Sequence, residues 1–405
     1  MYDMNAYSSR VLPNGLRIVS SYNPHSDIVT AEFVINAGAR YEDSNEYGLA
    51  HTLEHLFLKG SHNHPYDDLI KMTDYWGAYL NASTNKEDIK FTFQTINGGF
   101  DFFMSVISDA IKNPIINSVV LENEKKIIGE ERRTLLDNPT GLLWKTTFET
   151  VFKNADLAHF IAGEEDSVKK FSRDDLLEYV NKKISPSRMT LFVSGGVDNA
   201  VVFQNAEKYF SGLNGKETLI MSGFQYEKKK HFLSLSKTQT YYGFVLGIGS
   251  PTLRELVSVE LIINLLANGR NSILYKKLRS EKGLVYTVNG GRFIFRGGSL
   301  IYVQTVSSNP EWVEDNFLTT VNNLKNSFTE ATLNDQKERK INNLLRTISY
   351  PEKELSILSE YSHIDGSIVA PNELIAMIKK INLKDLEAVA EKLIPDDFSV
   401  IRVGK

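Results

Sequence analysis

The chain has 405 residues, 42% of them hydrophobic and 24% charged, with a formal net charge of −4 and no cysteine. This length exceeds one ordinary domain and suits two of about 200 residues each, with apolar material for two cores. The mild acidity gives no general pull toward nucleic acid or an anionic membrane, and the missing cysteines exclude disulfides and thiolate metal sites.

The N-terminus, Met1 to Tyr7, lacks the charged and apolar regions of a secretory signal, and no apolar run is long enough to span a bilayer. A cytoplasmic location is therefore expected. The first clear strand is the apolar run Ile28 to Gly38. Next comes Gly48-Leu49-Ala50-His51-Thr52-Leu53-Glu54-His55, in a helix expected to close at Lys59-Gly60. Two histidines four apart share one helix face and can grip a single metal ion, and Glu54 shares that face. The order His-x-x-Glu-His is the inverzincin pattern. A nearby turn carries His62 and His64 without a partner acid and reads as a solvated loop; His25, His159, His231 and His363 read as structural or surface residues.

A second helix follows, then Gly77 and an edge-like strand whose end is Asn81-Ala82-Ser83-Thr84, the strand Phe91 to Thr95, and a helix from Phe100 to Ile111. The long acidic helix Glu122 to Arg133 runs toward Asp137-Asn138-Pro139. On it Glu124 and Glu131 lie seven apart and share a face, two turns from each other. They are the best source of a carboxylate to complete a two-histidine metal site, since a catalytic zinc takes three protein ligands and keeps a fourth position for water. Glu130 is the rival of Glu131, and adjacent positions point about 100° apart, so only one joins the pair. A helix Asp174 to Lys183 and a strand Thr190 to Ser194 close this half, giving a first domain at 1–211 and a linker at 212–222.

Residues 223–405 then repeat the order. The strand Thr240 to Gly249 answers Ile28 to Gly38, the helix Leu256 to Gly269 answers the histidine helix, and Leu300 to Thr305 repeats the Gln-Thr exit of Phe91 to Thr95. Gly283 with Leu284 to Val288, the helix Trp312 to Leu324, a charged helix toward Ser349-Tyr350-Pro351, and the closing pair Leu383 to Lys392 and Ser399 to Val403 complete it. The fold class expected is α+β: two homologous domains, each a mainly antiparallel sheet with helices on one face. Aligned on Gly60 and Gly269, the positions of His51, Glu54 and His55 become Glu260, Ile263 and Asn264; aligned on the two prolines, Glu124 and Glu131 become Gln336 and Asn343. The metal face survives in one copy only, which favours chemistry over a structural role.

Taken together, these residues resemble the pitrilysin/insulinase family of zinc peptidases, in the half-size branch of mitochondrial processing peptidase and its bacterial relatives. The resemblance covers nearly the whole chain and implies the metallohydrolase fold of that family. Its third ligand is a glutamate about 76 residues beyond the second histidine, which falls on Glu131, and its supporting acid falls on Glu124. It implies one Zn²⁺ per chain on His51, His55 and Glu131, with Glu54 as general base. The family's Arg and Tyr seven positions apart match Arg279 and Tyr286, implying contacts to substrate and its oxyanion; its edge strand matches Asn81, Ala82, Ser83 and Thr84, implying peptide binding. Because the family builds its chamber from four such domains, two per chain imply a dimer, most simply a homodimer with Arg279 and Tyr286 offered to the partner's site. A heterodimer with a related subunit is the other assembly. The competing function is a family subunit that binds peptides without catalysis, a reading that predicts broken ligands, whereas His51, Glu54, His55 and Glu131 are all present.

Overall fold

The computed structural model describes residues 7–153, 155–215 and 223–405, so most of the expected linker, 216–222, lies outside the described residues. Two compact units each carry one mixed sheet with helices. Unit 1 comprises residues 1–133, 159–222 and 348–359; unit 2 comprises 134–158, 223–347 and 360–405. Chain order and spatial unit thus differ, with one short segment of each half of the chain belonging to the other half's unit.

In unit 1 the sheet order is β1-β2-β6-β3-β5-β4. The strands are β1 (Tyr7–Val11), β2 (Arg17–Tyr22), β3 (Ile28–Ile35), β4 (Tyr79–Thr84), β5 (Ile89–Ile96) and β6 (Met189–Gly195). The pair β2–β6 is parallel and the other pairs are antiparallel. β3 is buried along all but its first residue, as a central strand covered on both faces should be. β5 instead alternates buried and half-buried residues. Among the described residues β4 pairs with β5 alone, which leaves it at the edge of the sheet.

In unit 2 the order is β7-β11-β8-β10-β9, from β7 (Lys230–Ser234), β8 (Thr240–Gly249), β9 (Val285–Phe295), β10 (Gly298–Ser307) and β11 (Ser399–Gly404). Removing β1 from the first sheet leaves the same order, and the parallel pair β7–β11 matches β2–β6. Gln94 pairs with Tyr79 in one sheet and Gln304 with Asn289 in the other, so the repeat extends to register.

One face of the first sheet is packed by α1 (Leu49–Phe57) and α3 (Phe100–Lys112), which α2 (Tyr66–Tyr75) separates in the chain, and Leu121 and Ile128 of the long α4 (Ser118–Asp137) join the same core. α1 begins at Gly48, whose φ of 104° is left-handed and suits glycine. It buries Leu49, Leu53, Leu56 and Phe57, with the Phe57 ring 5.2 Å from Phe91 of β5. The same packing turns His51, Glu54 and His55 to the opposite, half-buried side. Leu53→Ala is expected to cost about 2–5 kcal/mol of stability, because a fully buried leucine leaves a cavity; a denaturant midpoint equal to that of the parent chain would refute this packing.

The opposite sheet faces are covered by the exchanged segments. In unit 2 this is α5 (Pro139–Val151), whose Trp144 and Phe148 pack edge-on against Phe293. In unit 1 it is residues 351–359, whose buried Glu354 accepts hydrogen bonds from Tyr7 and, at 2.6 Å, from Ser194. The expected second helix of the second half is a π-helical turn, Tyr275–Glu281. Among the described residues no helix is long and apolar enough to cross a membrane.

Candidate metal centre

Helix geometry sets the centre's first part. His51 and His55, one turn apart on α1, hold their rings edge to face with centroids 4.7 Å apart. Among the described residues, His51, Glu54 and His55 form the one trio whose potential ligand atoms all lie within 4.8 Å of one another. α4 supplies the second part. Its buried stripe, Leu121, Glu124 and Ile128, continues by helical spacing to Glu131. Glu131 Oε2 lies 3.2 Å from His55 Nε2 and 3.8 Å from His51 Nε2. Glu130 turns the other way and pairs with Arg133 at the surface.

Two carboxylates therefore compete as the third donor, since Glu54 Oε2 is also 3.8 Å from His51 Nε2. Glu131 is the better candidate: its one oxygen faces both ring nitrogens, whereas Glu54 Oε2 accepts a 3.3 Å hydrogen bond from the Thr84 hydroxyl at the end of β4. Donor atoms each about 2.0–2.2 Å from a tetrahedral zinc lie roughly 3.3 Å apart. The 3.2 Å separation meets this, and 3.8 Å needs only a small side-chain adjustment. Two imidazoles and a carboxylate, with no thiolate, suit zinc.

Charge and protonation agree with this geometry. Burial, helped by the neighbouring His55, pushes the His51 pKa down to about 4, so the ring is neutral at pH 7, the form that binds metal. Burial raises the Glu54 pKa; His55 and the Thr84 bond pull the other way, and Glu131 adds to the rise. A carboxylate with a raised pKa is a stronger base. His55 Nδ1 lies 3.1 Å from Glu124 Oε2, which fixes the ring so that Nε2 faces Glu131. Lys59 Nζ approaches the other oxygen of Glu124 at 3.0 Å. His51 Nδ1 is buried and has no hydrogen-bond partner among the described residues.

The edge-strand residues divide as a strand should: Asn81 and Ser83 are exposed, Ala82 is buried and Thr84 reaches Glu54. Arg279 and Tyr286 lie together in unit 2, the guanidinium 5.2 Å over the phenol ring and its Nη1 donating to the Val285 carbonyl at 3.4 Å. Tyr286 is 72% exposed. The sequence reading names His159 only as a structural or surface residue and does not mention Glu42. The Glu42 carboxyl accepts from the Gly48 and Ala50 amides at 2.9 and 2.7 Å, at the start of α1, and His159 Nε2 lies 3.0 Å from it.

Unit 2 shows what stands at the equivalent position of the repeat. Glu260, at the position of His51, is ion-paired with Arg292 and with Lys340 at 2.6 Å, and accepts from the Tyr361 hydroxyl at 3.1 Å. Protein cations neutralise the carboxylate, and Ile263, Asn264, Gln336 and Asn343 offer no ligand set.

Sequence profiles of two families match the chain: Insulinase (Peptidase family M16) over residues 17–165, and Peptidase M16 inactive domain over 170–340. An "uncharacterized zinc protease" of Rickettsia felis is 25% identical over 390 residues, covering 94% of this chain and 93% of that protein. The mitochondrial-processing peptidase subunit beta of Saccharomyces cerevisiae is 28% identical over 212 residues, 52% of this chain and 46% of that protein. The crystal structure of a protease from Helicobacter pylori superposes with a TM-score of 0.89 at 18% identity, covering 99% of this chain and 100% of that one.

Proposed function

The chain belongs to peptidase family M16, the insulinase family, and from that premise we propose that it is a zinc-dependent endopeptidase acting on peptides and unfolded segments. The observation that carries the reading is the convergence of His51 Nε2 and His55 Nε2 on Glu131 Oε2, with the Glu54 carboxyl alongside. His51, His55 and Glu131 would hold the ion. When bound, zinc lowers the pKa of a water and polarises a peptide carbonyl.

The remaining steps belong to the chain's own groups. The Glu54 carboxylate takes a proton from the attacking water and returns it to the leaving amine nitrogen. Glu124 holds His55 through Nδ1, keeping Nε2 free to ligate. The outer edge of β4 adds an extended peptide as a further strand through main-chain hydrogen bonds, with Thr84 linking that strand to Glu54. Tyr286 donates to the tetrahedral oxyanion and Arg279 to a substrate carbonyl. Cleavage takes place inside a chamber closed by a second copy of the chain, so folded proteins are excluded. The test is metal analysis with hydrolysis of a quenched peptide library: one zinc per chain with cleavage of peptides, but not of folded protein, supports the reading, and a chain without metal or cleavage refutes it.

The same reading makes the active site shared between subunits in a homodimer, the simplest closed assembly. Glu54→Gln and Arg279→Ala are each expected to be inactive alone. Mixed under conditions of subunit exchange, they should recover activity from sites combining an intact Glu54 with the partner's Arg279. No recovery despite exchange, shown by labelled subunits, would place both residues in one chain.

A further inference from the structure

The centre joins side chains from two helices, yet α1 and α4 are separate elements whose spacing decides whether His51, His55 and Glu131 meet. One short segment, residues 159–164, touches both. On the α1 side, His159 Nε2 contacts the Glu42 carboxyl, which itself accepts from the Gly48 and Ala50 amides, three residues and one residue ahead of His51. The His159 ring stacks flat on Tyr47, with centroids 3.9 Å apart. The segment also meets the start of α1 backbone to backbone: a Cβ on Gly163 would lie 2.3 Å from the Tyr47 carbonyl oxygen, and one on Gly48 would lie 3.0 Å from Gly163 Cα. Both glycines have left-handed φ, so the approach requires glycine twice over.

On the α4 side, Arg132 follows Glu131 directly. Its Nε donates to the Gly163 carbonyl at 3.2 Å and its guanidinium pairs with Glu164. A third tie reaches the substrate edge: Lys86, just beyond Thr84, donates to the His159 carbonyl. Charged or aromatic groups from α1's entry loop, α4 and the β4–β5 turn therefore all anchor on six consecutive residues.

We infer that residues 159–164 are a clamp that sets the separation of the two ligand helices, with His159 and Arg132 as its positioning residues. The inference rests on the metal site proposed above and adds to it residues that touch neither ion nor substrate. A ligand set held this way binds zinc without first paying to bring α4 against α1. Loosening either arm leaves the ligands intact but unaligned, so affinity falls while the ligand chemistry is unchanged.

The test uses the full chain stripped of metal, with zinc affinity measured by competition against a chromophoric chelator and ligand geometry by the visible spectrum of the cobalt(II) form. His159→Phe keeps the stack on Tyr47 but removes the donor, and Arg132→Met keeps the stem but removes the guanidinium. Each is expected to weaken zinc binding about 10- to 100-fold and to alter the cobalt spectrum, as loss of supporting residues does. His159→Gln, whose amide can still donate to Glu42, should stay within a few-fold of the parent chain. If His159→Phe fails to fold, Arg132→Met decides alone. Parent-like affinity and spectra in both variants overturn the clamp, and so does a loss confined to one arm. A parent chain that binds no zinc in the same assay overturns the metal site itself and the clamp with it.

Discussion

Glu54→Gln is expected to lower peptide hydrolysis about 10²–10⁴-fold while the chain still carries one zinc. The carboxamide has the size of the carboxylate and can keep the Thr84 contact, so α1 and the edge strand should stay in place. What it loses is basicity. Burial raises the Glu54 pKa, and in this position a carboxylate accepts a proton more readily than an exposed one. The effect should fall on kcat with little change in KM, because Glu54 acts on the water and not on substrate binding. Normal cleavage by Glu54→Gln would remove the general base from the mechanism, and loss of zinc would make Glu54 a ligand, exchanging its role with that of Glu131.

The second large effect separates two adjacent glutamates. Glu131→Ala should lose zinc by more than the roughly 10–100-fold that supporting residues cost, and activity with it. Glu130→Ala should match the parent chain in both. The geometry behind the contrast is simple: Glu131 Oε2 faces both histidine Nε2 atoms, while the Glu130 carboxylate pairs with Arg133 on the outer surface. Glu131 is itself 51% exposed, so its removal should leave stability of the metal-free chain nearly unchanged. Metal content after dialysis, read beside the thermal midpoint of the metal-free proteins, checks this. Equal zinc retention by the two variants would mean the third ligand lies elsewhere.

These contrasts show which features a linear sequence carries. The His51–His55 pair and the Glu124–Glu131 pair are helical spacings, and helical spacing places side chains on one face whatever surrounds them. The duplication of strands and helices is visible in the matching Gln-Thr strand exits at 94–95 and 304–305, whereas the strand order and the strands β1, β2 and β7 emerge only in the folded chain. Other features depend on contacts that no local pattern encodes. Glu42 and His159 are 117 positions apart, and neither sits in a periodic run, so their meeting at the start of α1 follows only from the folded chain. The Thr84–Glu54 contact likewise needs β4 to be laid beside α1. The sequence reading singles out no element at α5, whose Trp144 and Phe148 find aromatic partners on the second sheet. At Tyr275–Glu281 the sequence reads as an ordinary helix, and no local pattern announces the π-helical winding found there.

The central claim is that this chain hydrolyses peptides with a zinc ion held by His51, His55 and Glu131. Its most direct test is to strip the chain with a chelator, remove the chelator, and titrate zinc back while following cleavage of a quenched peptide. Activity should vanish on stripping and return linearly, reaching its plateau at one zinc per chain. Cleavage that persists in the stripped chain, or that fails to return when zinc is bound, would contradict the claim.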